Sequence, residues 1–303
     1  MARIGLVGFG RMGQAILPRL VQSGAPVMVW NRTDKTKLIE AAGAIPASSP
    51  SEVVKNCDVV LSFLFDDAAV EAVYLGPSGL FSESCEGRTF IEMSTIKPRT
   101  IEAISCAALA RRAAFVEAPV SGSTAAARAG SLLVLAGGAP DEICAVTPIL
   151  NLFARRVVHM GPIGRGMAAK LGVQLLTYSY WLALGEAAAI ASSSGLPIKE
   201  FLEVLADTPA ALGALRGKLP AILGDEKDVA FSISAAQKDL EVIRDHARLL
   251  DVQGAMGESV FGQYGAAVRS GLGDDDIAAI VAFASKRPAH SQAQQRDITS
   301  ENK

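Results

Sequence analysis

A single lysine, Lys170, interrupts an apolar run in the stretch GRGMAAKLGVQLL at residues 164–176. The residues that follow are largely Ala, Leu, Tyr and Trp, so the run is typical of a buried helix. In one interpretation the lysine stem packs on apolar surface while the ammonium reaches water, which is the more common arrangement. In the other, desolvation lowers the pKa of the amine and makes Lys170 a general acid and base. The residue types alone leave both interpretations open.

Three glycines, Gly8, Gly10 and Gly13, follow a strand-like run and open a helix-like one in IGLVGFGRMGQAIL. In this GxGxxG spacing Gly8 permits a tight turn, Gly10 lets the backbone approach a pyrophosphate, and Gly13 lets the helix pack closely on the sheet. The helix start, at Arg11 and Met12, offers free N–H groups to the phosphates. The motif predicts a dinucleotide site, with an ordinary strand-to-helix turn as the alternative.

The end of the second strand-like run, in VMVWNRTDKTK, bears on the choice of dinucleotide. NAD sites usually carry Asp or Glu here, whereas this chain has Asn31, Arg32 and Thr33. A guanidinium binds a 2′-phosphate through paired, charge-assisted hydrogen bonds. Asp34 would favour NADH instead, although it can equally cap the next helix. Lys37 either adds positive charge for the 2′-phosphate or is an ordinary solvated lysine. We therefore predict NADPH/NADP⁺ in preference to NADH.

Later strand-like runs end in residues that a bound dinucleotide could meet, since ligands of open α/β sheets bind outside the carboxyl ends of the strands. Leu64 and Phe65 are candidates to pack on the nicotinamide side, and Thr95 to hydrogen-bond a ribose; each is equally explained as core or helix cap. In APVSGST, Ser121 and Gly122 could hold a carboxylate through a hydroxyl and main-chain N–H groups. The alternative is a flexible turn between two strands.

The elements that must position these residues change character along the chain. Short apolar runs alternate with amphipathic segments as far as about residue 163, which predicts βαβ crossovers and a doubly wound, Rossmann-type parallel sheet. From Gly164 onward helix signals replace strand signals. We expect an α/β fold with a dinucleotide-binding domain at 1–163, an all-helical substrate and dimerisation domain at 164–288 entered through a long interdomain helix, and a flexible tail at 289–303.

Composition excludes several classes of protein. The chain has 303 residues, a net charge of -2 and 20% charged residues, which argues against a nucleic-acid-binding face. The four cysteines lack metal-ligand spacing, so we expect reduced thiols and no metal site. The sequence moves directly into a strand-like run without a separate apolar leader, which favours the cytoplasm. Residues 171–191 approach the length of a membrane span, but Gln174 and Glu186 interrupt them, so we expect a buried helix and no membrane partner.

With these motifs in order, the chain resembles the β-hydroxyacid dehydrogenase family. The likeness runs from GLVGFGRMG through WNRT, EMST, APVSGS and GRGMAAKLGVQ to FSISAAQKDL and GLGDDDIAAI, up to about residue 284. The resemblance implies that Lys170 is catalytic: its ammonium donates a proton to a carbonyl oxygen, and its neutral amine removes one in the oxidative direction. It also implies that Ser121 and Gly122 bind the substrate carboxylate and that Lys238 lines the cleft near substrate and cofactor.

Three positions depart from the usual pattern of that family. Gln174, one helical turn beyond Lys170, stands where Asn is usual, and Ser123 and Ala126 stand where many members have glycine. We place Gln174 and Ser123 among the substrate-binding residues. The departures indicate a pocket for a substrate that is bulkier or differently substituted than glyoxylate or succinic semialdehyde.

The function expected is therefore NADP(H)-dependent interconversion of a small β- or γ-hydroxy acid with its semialdehyde or keto acid. Imine reductases share the expected fold, but they usually replace the lysine that Lys170 matches. A non-catalytic cofactor-binding scaffold is a further alternative. We also expect a homodimer or higher homo-oligomer, because the apolar face around Tyr178, Tyr180, Trp181 and Leu184 would otherwise be an exposed patch; burial within one chain is the other explanation.

Overall fold

The computed structural model describes residues 2–225, 228–252 and 254–285. The contacts divide the chain into two compact units. The first comprises residues up to Leu175 together with Lys238–Gly257, and the second comprises Leu176–Gln237 and the described residues from Glu258 onward. The domain limits predicted above remain a proposal, and the predicted tail at 289–303 lies outside the described residues.

One sheet organises the first unit, and its described strands number nine. They are β1 (Ile4–Val7), β2 (Val27–Trp30), β3 (Ile45–Pro46), β4 (Val59–Ser62), β5 (Thr89–Glu92), β6 (Ala114–Glu117), β7 (Val120–Ser121), β8 (Leu132–Gly137) and β9 (Ala154–Gly161).

The strand order is β3-β2-β1-β4-β5-β6-β8-β7, with β9 paired to β8. The pairs from β3 to β6 are parallel, whereas β8 runs antiparallel to both β6 and β7. The chain order reverses where β1 lies between β2 and β4, and ligands of such sheets bind outside the carboxyl ends at this point. The predicted α/β class is confirmed, since the sheet is of Rossmann type and is followed by a helical region.

Helices separate most of the strands and cover the sheet. They are α1 (Arg11–Gln22), α2 (Thr36–Ala41), α3 (Pro50–Asn56), α4 (Asp67–Leu75), α5 (Pro98–Leu109), α6 (Thr124–Arg128) and α7 (Pro140–Leu150). Leu17 and Leu20 of α1, Leu6 of β1 and Phe153 before β9 are fully buried in one apolar cluster. Consecutive parallel strands need such crossovers, and the helices bury both faces of the sheet.

The remaining helices follow the last strand. They are α8 (Arg165–Ser193), α9 (Ile198–Leu205), α10 (Leu215–Leu223), α11 (Ile233–Leu249), α12 (Ala255–Ala267) and α13 (Ala279–Ser285). Within the second unit, Asp276 accepts hydrogen bonds from Lys218 Nζ at 2.8 Å and from the backbone N of Ala230 at 3.0 Å. This nearly buried carboxylate joins three separate segments of the helical unit. No described helix combines the length and apolar character that a bilayer crossing needs.

The apolar face expected to form an exposed patch is mostly buried within the chain. Tyr178, Trp181 and Leu184 are each less than 5% exposed. In the second unit Tyr178 stacks on Phe231 with ring centroids 6.2 Å apart. Burial within one chain, the other explanation above, therefore accounts for these three side chains.

Candidate active site

The glycine loop between β1 and α1 is shaped by two close backbone contacts. Gly8 has φ +97°, and a Cβ there would lie 2.0 Å from the carbonyl oxygen of Phe63. A Cβ on Gly13 would lie 2.2 Å from the carbonyl oxygen of Gly8. A Cβ on Gly10, by contrast, would meet no atom of the chain within 4 Å. Close packing requires glycine at positions 8 and 13, whereas Gly10 leaves open space at the start of α1.

That open space fits a pyrophosphate. Gly10 occupies the N-cap position of α1 and has no side chain to cap it. The first N–H groups of a helix lack intrahelical acceptors and carry partial positive charge. The backbone of Arg11 and Met12 can therefore donate to a phosphate brought close over Gly10. The loop has the shape and the donors that a dinucleotide requires.

Asn31 fastens this loop to the end of β2. Its Oδ1 accepts a hydrogen bond from the backbone N of Phe9 at 2.9 Å, and its Nδ2 donates to the carbonyl oxygen and Oγ1 of Thr33. Lys35, which our sequence reasoning missed, donates from Nζ to the carbonyl oxygen of Phe9 at 2.8 Å and lies 5.9 Å from the ring of Phe9. Asn31 and Lys35 thus hold the loop through the backbone N and the carbonyl oxygen of Phe9, respectively.

Arg32 lies beside a cavity of about 340 Å³ at the ends of β2 and β3, whose lining also includes Trp30, Asn31 and Lys35. Its guanidinium is exposed and makes no hydrogen bond or ion pair with any described residue. Asp34 Oδ1 accepts from the backbone N of Thr36 at 2.9 Å, and this hydrogen bond lowers the pKa of the Asp34 carboxyl. Asp34 is therefore engaged at the start of α2, while Arg32 is available to an anion. Lys37 is exposed and lies outside this lining.

A buried polar network joins the loops that follow β4 and β5. Glu92 accepts from Ser62 Oγ and from the backbone N of Ser94, both at 2.6 Å. Ser94 Oγ in turn accepts from the backbone N of Leu64 at 2.7 Å. Ser62 also bonds the hydroxyl of Tyr74 at 2.8 Å. Burial raises the pKa of Glu92. Apart from two polar residues at the ends of apolar strands, no sequence pattern predicts this network.

Lys238, on α11, contacts both of these loops. Its Nζ donates to the carbonyl oxygen of Thr95 at 2.7 Å and lies 5.7 Å from the ring centroid of Phe65, whose side chain is exposed. It also forms an ion pair with Asp239 at 2.5 Å. Lys238, Phe65 and Thr95 are distant in sequence, and the fold brings them together within the first unit.

Lys170 lies on α8 near the same ion pair. It is partly buried and forms no hydrogen bond or ion pair with any described residue. Desolvation lowers the pKa of its amine to about 8; the charge of Lys238 acts in the same direction, and that of Asp239 opposes it. An amine with this pKa exchanges protons near neutral pH, as a general acid and base must.

Gln174 shares this environment. Its Nε2 donates to Asp239 Oδ2 at 2.5 Å, and its buried Oε1 has no hydrogen-bond partner among the described residues. Asp239 is only 2% exposed. Its carboxylate contacts the amide of Gln174 on one oxygen and the ammonium of Lys238 on the other. No sequence motif indicated this central position of Asp239.

The loop of Ser121 and Gly122 forms a separate feature. Gly122 has φ +136°, and a Cβ there would lie 2.7 Å from the side chain of Leu132 and 3.2 Å from that of Ala126. Ser123 caps α6 by accepting a hydrogen bond from the backbone N of Ala126. The loop thus connects the end of β7 to the short helix α6. No hydrogen bond or ion pair within the described ranges joins it to Lys170, Gln174 or Lys238.

Two family models match the chain, and the matched residues include the glycine loop and the helix that carries Lys170. The NAD binding domain of 6-phosphogluconate dehydrogenase matches residues 3–161. The NAD-binding domain of NADP-dependent 3-hydroxyisobutyrate dehydrogenase matches residues 164–284. The chain belongs to the β-hydroxyacid dehydrogenase family. As a member of that family it is an NAD(P)-dependent oxidoreductase of the hydroxyacid dehydrogenase class.

Known members of the β-hydroxyacid dehydrogenase family are similar over most of their length. Glyoxylate/succinic semialdehyde reductase 1 of Arabidopsis thaliana is 31% identical over 92% of this chain and 96% of its own. The NAD-dependent L-serine dehydrogenase of Pseudomonas aeruginosa is 28% identical over 92% of this chain and 97% of its own. Relatives named for different substrates are thus similar to this chain over most of its length.

Solved structures share the fold. The 3-hydroxyisobutyrate dehydrogenase of Salmonella typhimurium has a TM-score of 0.85 at 22% identity, covering 93% of this chain and 100% of its own. An imine reductase of Myxococcus stipitatus has a TM-score of 0.62 at 18% identity, covering 93% and 99%. The imine reductase is the more distant of the two in backbone structure.

The two glycines of the loop should respond differently to a methyl group. Gly10→Ala should keep the wild-type midpoint of urea unfolding, because its φ of -76° suits any residue and its Cβ meets nothing. It should raise the Kd for NADPH by about tenfold or more, because the methyl fills the space over which the pyrophosphate approaches. Fluorescence titration with NADPH measures this effect.

Gly13→Ala is the matched comparison. Its methyl would press on the backbone oxygen of Gly8, so it should lower the free energy of unfolding by about 1–3 kcal/mol and weaken NADPH binding as well. Equal NADPH affinity in Gly10→Ala and the wild type would contradict the assignment of this loop.

Proposed function

We propose that the protein uses NADPH to reduce a small aldehyde or keto carboxylate to the corresponding β- or γ-hydroxy acid, with Lys170 as the proton donor. The observation that carries the proposal is the desolvated amine of Lys170, whose pKa is lowered to about 8 beside the Lys238 and Asp239 pair. A donor of this pKa is matched to a carbonyl that becomes an alkoxide during reduction. The reverse oxidation with NADP⁺ uses the same amine as a base.

The chemistry balances with one hydride and one proton. A nicotinamide cofactor held at the loop of Gly8, Gly10 and Gly13 would supply the hydride for the carbonyl carbon. The ammonium of Lys170 donates its proton to the carbonyl oxygen and becomes neutral, and solvent then returns it to the charged form. In the oxidative direction neutral Lys170 takes the hydroxyl proton. Asp239 limits how far desolvation lowers the pKa of Lys170, since its negative charge favours the ammonium.

Substrate binding is assigned to groups with unused hydrogen-bonding capacity. The hydroxyl of Ser121 forms no hydrogen bond with a described residue, and with the backbone of Gly122 and Ser123 we assign it to the substrate carboxylate. The unpartnered Oε1 of Gln174, one turn from Lys170, can accept from the substrate hydroxyl. Lys238 adds positive charge on the side of Phe65 and Thr95.

NADPH is preferred in this proposal because of the charges at the end of β2. Arg32 is exposed beside the cavity there, and Asp34, the residue that would favour NADH, is engaged with α2. We assign Arg32, with the N–H and hydroxyl groups of Asn31 and Thr33, to the 2′-phosphate. Leu64, Phe65 and Thr95 are assigned to the nicotinamide side of the cofactor.

Replacing Lys170 tests the proton donor. Loss of NADPH absorbance is followed with glyoxylate, succinic semialdehyde, methylglyoxal and a cyclic imine. The wild type should reduce an aldehyde acid, and Lys170→Ala should lower kcat by at least about a hundredfold, the lower range of a general-acid contribution. Lys199→Ala, at an exposed lysine of α9, is the control and should keep full activity. Turnover of the imine alone, or aldehyde activity that survives in Lys170→Ala, would overturn the proposal.

The pH profile is a second readout of the same assignment. With a pKa of about 8, the amine is protonated below that pH and neutral above it. The kcat/KM for reduction should therefore fall as pH rises through 8, and the kcat/KM for oxidation should rise over the same range. An ordinary lysine would place both transitions about two units higher, and a limb near pH 10 would count against desolvation of Lys170.

Replacing Arg32 tests the cofactor preference. Arg32→Ala should raise the KM for NADPH by about tenfold or more, because the 2′-phosphate loses a charge-assisted partner worth about 1.5–3 kcal/mol. The KM for NADH should change by less than about twofold. Arg155→Ala, at an exposed arginine of β9, controls for the loss of surface charge. An equal effect on both cofactors would contradict the role of Arg32.

Self-association is the last part of the proposal. On α8 the side chains of Leu176 and Ile190 are 75% and 71% exposed, and two-fold dimers are the commonest way to cover such residues. Light scattering after gel filtration should give at least twice the mass of one chain. Leu176→Asp should shift it toward the monomer, whereas Leu109→Asp, at a residue of α5 that is 76% exposed, should not. A monomeric wild type would refute this part.

A further inference from the structure

A buried carboxylate outside the cluster of Lys170 lies at the beginning of α8. Glu117 ends β6 and has no exposed surface. Its Oε1 accepts a hydrogen bond from the backbone N of Gly166 at 2.8 Å. The N–H groups of Gly164 and Met167 also stabilise its charged form. These groups belong to the first turn of α8 and the residue before it, where backbone donors lack intrahelical acceptors. Glu117 therefore acts as a cap supplied from another element.

The fit around this carboxylate is close. A Cβ at Gly137 would lie 2.1 Å from Oε1 of Glu117, and a Cβ at Gly166 would lie 2.3 Å from the carbonyl oxygen of Leu135. Glycine at these two positions lets β8 and α8 approach the carboxylate. The side chain has little room to turn, so the direction of the carboxylate determines where the first turn of α8 can lie.

Two parts of the proposed reaction depend on the elements that Glu117 joins. Downstream of β6 the chain soon enters β7, whose last residue is Ser121, and Gly122 follows directly. Downstream of Gly166, Lys170 follows after four residues, which is about one helical turn. One carboxylate thus ties the strand that leads to the substrate loop to the helix that carries the proton donor.

We propose that Glu117 is a positioning residue for the reaction, which holds the first turn of α8 against β6 and so sets the place of Lys170 relative to the loop of Ser121 and Gly122. The inference rests on the proposed function, because it concerns the same proton donor. Glu117 acts through the backbone of α8 and does not touch the reacting atoms.

The electrostatics agree with this role. Burial raises the pKa of Glu117 to about 7, and the charge of Glu102 on α5 acts in the same direction, while the three backbone N–H groups oppose both. Oε2 of Glu117 is buried and has no hydrogen-bond partner among the described residues. Burying a carboxyl with one oxygen unsatisfied costs free energy that an apolar residue would not cost. The hydrogen bonds from the start of α8 offset part of this cost.

Glu117→Gln tests the inference, because it keeps the side-chain volume and removes the charge. Glu102→Gln is the matched control: it removes an exposed carboxylate that acts on Glu117 from α5. Three quantities are measured in the full-length protein: kcat for the aldehyde acid that the wild type reduces, Kd for NADPH, and hydrogen exchange of the peptide spanning residues 162–170 by mass spectrometry. If Glu117→Gln does not fold, Glu117→Asp takes its place, since it withdraws the carboxylate by one methylene.

In the Glu117 variant, exchange of that peptide should be about tenfold faster or more, because the helix loses a charged hydrogen-bond acceptor. The kcat should fall by about tenfold or more, and the Kd for NADPH should stay within about twofold, since the glycine loop is untouched. Glu102→Gln should match the wild type in all three. A folded variant with wild-type kcat, or one that loses NADPH affinity as much as kcat, would overturn the positioning role alone. A wild type that reduces none of the carbonyl substrates would overturn the proposed function and this inference with it.

Discussion

Desolvation of the ammonium of Lys170 is the constraint on which the arrangement of Lys238 and Asp239 around it depends. Removing this charge from water favours the neutral amine and so lowers the pKa of Lys170 to about 8. The nearby ammonium of Lys238 adds to it, so an opposing charge is required. Asp239 provides the opposing charge and is itself satisfied by Lys238 and by the amide of Gln174. The charges of Lys238 and Asp239 therefore act in opposite directions on the pKa of Lys170.

The loops near this cluster follow the carboxyl ends of parallel strands. Their carboxyl ends meet at one edge of the sheet, where polar side chains at the last strand positions can stabilise the loops that follow. Glu92 does this for the loops of Leu64 and Ser94, through hydrogen bonds of 2.6 Å to Ser62 and Ser94. Glu117 does it for the start of α8. Both carboxyls are buried, and in both burial raises the pKa, which backbone donors partly offset.

Some roles were predictable because their signals are local. The spacing of Gly8, Gly10 and Gly13 depends on adjacent turns of one segment, and the structure gives each glycine a distinct steric environment. Other features were not predictable in this way. No motif marks Lys35, yet its Nζ donates a hydrogen bond to the carbonyl oxygen of Phe9, 26 positions away. The face around Tyr178 looked like an interface by composition and proved to be buried within the chain.

By itself the sequence determined the alternation of strand and helix, the dinucleotide loop and the identity of the one lysine within an apolar helix, because periodicity and short motifs act over a few residues. Only the tertiary structure decided that Asp34 is engaged with α2, that Asp239 lies between Gln174 and Lys238, and that Glu117 caps α8. The physical reason is that these contacts join residues far apart in the chain, whereas sequence motifs act over a few neighbouring residues. A buried charge is stabilised by whichever donors the fold brings to it, and for Gln174 and Asp239 those groups are 65 positions apart in the chain.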